Sequence, residues 1–138
     1  MTQAHDHLKS VLKDSREDLV QRSTDIAFAA GAIDLPRSDV EQMLRACVAI
    51  LDEALEGRST DIRNGFLAAL PDVARTTTWD STMRGGLACW GVLIGQLVAR
   101  SSKAYQDEAT TFLSRFMGDW WADVSKAMLP VHIAENKL

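Results

Sequence analysis

Histidine is nearly missing from this chain: His5, His7 and His132 are the only three, all near the ends. A haem-binding globin needs an axial ligand in mid-chain, usually histidine, so haem is excluded. A phosphotransfer helix, which presents a histidine at its middle, is excluded with it. The four-carboxylate, Glu-x-x-His pattern of di-iron bundles is absent too. His5 and His7 read as solvated terminal side chains rather than a metal site. No metal and no cofactor is expected. Cysteine occurs twice, as Cys47 and Cys89, each among apolar neighbours. Two such thiols read as buried and reduced, which makes the cytoplasm the expected compartment. The first fifteen residues carry charges and no apolar core, so no secretory signal is expected.

Further absences bear on catalysis and partners. Neither cysteine has an activating group nearby in sequence, and no Gly-x-Ser-x-Gly elbow occurs. Gly85 and Gly86 lie inside an apolar run, without the strand–loop–helix setting of a phosphate loop. With no catalytic constellation, an enzyme is the least supported function class. The net charge of −4 is mild and dispersed. A nucleic-acid binder concentrates Lys and Arg on one stripe, so no nucleic-acid partner is expected.

What is present describes a helical domain. At 138 residues and 46% apolar content, one globular domain over 1–138 is expected, with residues 1–5 and 131–138 as frayed tails. Residues 85–99 carry no charge, and Gln96 is their only strongly polar side chain. Fifteen residues fall short of the roughly 17–25 that span a bilayer, so no membrane span is expected. The spacing predicts instead a central helix hidden from water on nearly every side, by its neighbours or by a second copy of the chain.

The flanking segments repeat the same period. Leu8, Leu12, Leu19, Ile26, Ala29 and Ile33 line one face of a first helix over 4–33, and Asp18 with Arg22 forms a favourable i, i+4 pair. Gly31 and Pro36 turn the chain. Ser38 and Glu41 read as a capping box opening a helix that carries Val40, Met43, Leu44, Cys47, Ile50, Leu51 and Leu55 inward and stops at Gly57. A shorter helix over 60–70 offers Ile62, Phe66, Leu67 and Leu70 before Pro71. The threonines at 76–78 read as a connector, with Asp80 or Ser81 capping the central helix. A final helix over 103–128 repeats Ala109, Phe112, Leu113, Phe116, Met117, Trp120, Trp121 and Val124, and Pro130 ends it.

Wheel arithmetic divides the central helix into two apolar faces. Met83, Leu87, Trp90, Ile94 and Leu97 form a large one; Gly85, Ala88, Gly91, Gly95 and Ala99 form a strip of small residues. That strip admits close approach by another helix, within the chain or across a dimer. Four tryptophans fall in the second half of the chain, and Trp120 and Trp121 point about 100° apart, so the pair must serve two surfaces. Trp79, Arg84, Trp90 and Trp121 are the candidate ligand or partner surface. Gly91, Gly95, Phe116, Trp121 and Val124 are the candidate dimer seam.

The helix order, with a segment SDVEQMLRACVAILDEALEG followed by a late aromatic helix, resembles the non-haem, globin-like N-terminal sensor domains of stressosome co-antagonist (RsbR-type) regulators, over residues 8–128. The resemblance implies a dimeric all-α sensory module without haem. The phosphorylatable C-terminal domain of those regulators has no counterpart here. The expected fold is thus an all-α single-domain bundle of about five helices. The expected function is a bacterial regulatory or sensory module that homodimerises and binds a partner protein or a small apolar ligand. A constitutive structural protein without ligand, or a metal-free enzyme with an apolar pocket, are the alternatives.

Overall fold

The computed structural model describes residues 3–29, 35–57, 59–75 and 79–136, without the side chains of 73–75, 79–82, 132 and 134–136. Five α-helices follow one another: α1 (Gln3–Ala29), α2 (Arg37–Glu56), α3 (Asp61–Arg75), α4 (Trp79–Arg100) and α5 (Gln106–Asn136). A 3₁₀ turn at Lys103–Tyr105 leads into α5, and no strand occurs among the described residues. The all-α, five-helix reading is correct.

Along α1 the buried stripe winds. Leu8, Leu12 and Leu19 point inward as their spacing predicts, but the stripe then passes to Val20, Ser23, Thr24 and Ala27. Ile26 and Ala29, expected inside, are exposed, and Ile33 lies outside the described residues. The cause is a change of neighbours. The start of α1 meets the α4–α5 corner, where the Ser102 amide donates to His7 Nε2 at 2.9 Å and His5 stands edge-on to Phe112. The rest of α1 packs between α2 and α4.

Charges stitch α1 to α2 on the outside. Arg16 pairs with Asp52 at 2.9 Å, Arg45 holds Glu17 through both guanidinium nitrogens at 2.6 and 2.8 Å, and Arg37 meets Asp25. Partners early in one helix lie late in the other, so the two run antiparallel. Asp18 pairs with Arg100 of α4 at 2.6 Å, in place of the expected i, i+4 contact with Arg22. Exposed pairs of this kind contribute about 0–1 kcal/mol each, so they serve register more than stability.

The expected inward set of α2 is buried apart from Met43, which is half-buried. Its start differs from the expected capping box. Pro36 occupies the N-cap, and its carbonyl accepts from the Asp39 and Val40 amides at 3.0 and 3.2 Å. Ser38 therefore stands inside the first turn, and Glu41 reaches Arg37 instead, at 3.4 Å. Gly57 ends the helix as expected: it adopts φ 67°, and its amide donates to the Glu53 carbonyl at 3.0 Å. A side chain at that left-handed conformation costs about 1–2 kcal/mol, which glycine avoids.

Two prolines expected to stop helices do not. Pro71 lies within α3 and Pro130 within α5, which runs on to Asn136. The expected frayed tails are helical over 3–5 and 131–136, and Ala4 and Val131 are buried. Burial of Leu70 before Pro71, and of Met128 and Val131 on either side of Pro130, works against the loss of the hydrogen bond that each ring removes. Asp80 and Ser81 fall inside α4, which already starts at Trp79. The connector at 76–78 lies outside the described residues.

One core joins all five helices. Trp120, Trp90, Leu93, Leu97 and Leu113 are sealed from solvent together with the α1 and α2 leucines. The rings of Trp90, Trp120, Phe116 and Phe66 meet at centroid distances of 5.4–5.5 Å, tilted to one another. Such pairs add about 0.5–1.5 kcal/mol each beyond their buried area. Two buried hydroxyls are answered locally: Thr24 donates to the Val20 carbonyl at 2.7 Å and Ser101 to that of Leu97 at 2.8 Å.

Candidate functional site

The central helix is buried on one side only. Cys89, Trp90, Leu93 and Leu97 face the core, while Leu87, Gly91, Gly95 and Ala99 are exposed. Leu87, expected on the large inward face, is 54% exposed. A Cβ built on Gly91 or Gly95 meets nothing within 4 Å. The small-residue strip is therefore open at Gly91, Gly95 and Ala99, while Ala88 is half-buried and Gly85 buried. The reason is the packing angle: α1, α2 and α5 meet α4 on the side of Cys89 and Trp90, leaving the opposite arc without a neighbour among the described residues. Gln96, the polar residue of the stretch, lies at the edge of the covered side, half-buried.

Helix α5 extends this open surface. The Gly86–Trp121 and Trp90–Phe116 contacts show that α4 and α5 run antiparallel with Trp121 at their outer seam. A Cβ at Gly86 would lie 3.2 Å from the Trp121 ring, so the glycine lets the benzo edge of the indole come close to α4. Ser114, Gly118 and Ser125 stand within about 60° of Trp121 around α5, and all three are exposed. Arg115, Asp119 and Lys126 stand about 120–160° away, on the flank turned from α4. On α4, Leu87, Gly95 and Val98 lie within about 40° of Gly91. The two helices thus present a joint outward face whose middle carries no charge. Arg84 stands exposed at one end of it and Asp107, in the first turn of α5, at the other.

The expected site residues separate accordingly. Gly91, Gly95 and Trp121 share this face, with Arg84 at its end. Trp90 is 2% exposed, its ring enclosed by Trp120 and Phe116, so it is a core residue and not part of a ligand or partner surface. Val124, expected at the dimer seam, is 4% exposed and packs inward. Phe116 is half-buried and turned into the aromatic cluster between Trp90 and Phe112. Trp79 opens α4, but its side chain lies outside what is described.

The remaining polar features are structural in their geometry. An open cleft of about 360 Å³ between α1 and α2 has Asp6, Lys9, Ser10, Lys13 and Arg16 on one wall and Asp52 and Glu56 on the other. Its two signs meet across the Arg16–Asp52 pair, so it is an ion-paired seam. Cys47 and Cys89 are both buried and free. Burial pushes the Cys89 thiol up to about 11 and Cys47 well above its ordinary value, with Cys89 adding to the latter effect. Thiols so raised are poor nucleophiles at neutral pH. Arg63 lies over Trp120 at 5.9 Å and pairs with Asp123, tying α3 to α5.

One polar device escaped the sequence. The Glu53 carboxylate, in the last turn of α2, accepts the Ile62 and Arg63 amides at 2.9 and 3.1 Å and so caps α3. Ser59 Oγ accepts the Asp61 amide at 3.0 Å. The Ser-Thr-Asp run at 59–61 carries the local cap signal. The contribution of Glu53 depends on how the start of α3 is brought back to the last turn of α2, which no local pattern encodes. Ile62, expected in the core, is 48% exposed because this corner turns it outward.

Among the described residues, no three His, Cys, Asp or Glu side chains gather as a metal set, and no helix is long and apolar enough to cross a membrane. No family model, no curated protein and no solved structure matches this chain.

Proposed function

We propose that this chain is a non-catalytic regulatory or sensory module that forms a homodimer and acts by binding a partner protein. The observation that carries the reading is the uncharged, exposed face shared by α4 and α5, in a chain that is 25% charged overall. Leu87 stands out from this face and Trp121 lies partly open at its seam, and an exposed stretch without charge is the surface best suited to a partner. The distribution of polar groups supports the same reading: most of the described ion pairs lie along α1 and α2, and the Arg63–Asp123 pair joins α3 to α5.

A module of this kind signals by population shift, its partner binding one arrangement of α4 and α5 better than another. The open face is helical and convex, which suits recognition by a second helix more than capture of a small molecule. The expected setting is the bacterial cytoplasm, in line with two reduced, buried thiols.

Sedimentation equilibrium from low to high micromolar concentration tests the reading. A mass that rises toward twice the chain mass of 15.2 kDa is the expected result. A chain that stays monomeric throughout overturns it.

A further inference from the structure

We draw no further inference here: the strongest candidate, the uncharged outward face shared by α4 and α5 around Gly91, Gly95 and Trp121, is an unpartnered helix surface, and nothing in the structure shows what covers it.

Discussion

Ser23 sits fully buried on α1 with no partner for its hydroxyl, one residue from Thr24, which returns its own hydrogen bond to the turn below. An unanswered buried hydroxyl costs about 1–3 kcal/mol, and alanine removes it with the loss of one small atom from the packing. Ser23→Ala is therefore expected to leave the melting temperature unchanged or to raise it. A clear fall on thermal unfolding would show that the hydroxyl holds a bond that the static geometry lacks. Trp121 illustrates the opposite case, a large residue placed by a small one. Gly86 removes the side chain that would otherwise lift the indole from α4, and so decides that the ring lies at a seam rather than in solvent.

At the scale of elements, the α2–α3 corner is held by Gly57 and Glu53 together. Gly57 reverses the chain, and the Glu53 carboxylate then meets the free amides at the start of α3, where the helix dipole favours a negative charge. Partial burial pushes the Glu53 carboxyl up, but the Ile62 and Arg63 amides, the Ser59 hydroxyl and the Asp61 amide outweigh this and leave it below its ordinary value. A carboxyl lowered on folding stabilises above its unfolded value, and that contribution is lost as pH falls through the folded one. Glu53→Gln is thus expected to melt below wild type at neutral pH, with the gap narrowing as the pH is taken into the acid range. A gap independent of pH would mean that the clamp does not depend on ionised Glu53. Glu17 shares the sign: hydrogen bonds from Arg45 bring its carboxyl to about 2. It is well exposed, so its share of acid stability is small.

Across the whole molecule the charge is sorted by side. Among the described residues, ion pairs knit α1 to α2 and to the end of α4 and tie α3 to α5, while the middle of the outward arc of α4 and the adjoining arc of α5 carry no charge. The histidines lie at the far ends of the chain; of the two whose side chains are described, His7 accepts a backbone amide and His5 lies edge-on to Phe112. Purified protein is accordingly expected to carry no stoichiometric haem, iron or zinc. Elemental analysis with a visible absorption scan checks this, and a Soret band or one equivalent of zinc would refute it.

The local glycine signal gave the stop at Gly57, and the helical period put Trp90 on an apolar face, yet only the structure removed it from the candidate surface. The same period of apolar residues was enough to determine five helices, most of the inward face of α2 and the burial of Trp120. These follow from local spacing, because a stripe of large apolar groups has to leave water whatever it meets. Several features belonged to the tertiary structure alone. Which arc of an apolar helix is covered depends on where its neighbours run. The sequence accordingly suggested that residues 85–99 are wrapped on nearly every side, whereas three helices meet α4 across one arc and leave Gly91 and Gly95 open. The same dependence exposes Ile26 and Leu87, buries Val124, carries α3 through Pro71 and α5 through Pro130, and brings Glu53 to the start of α3. An apolar side chain carries its own reason to be buried; it does not carry the direction from which the cover comes.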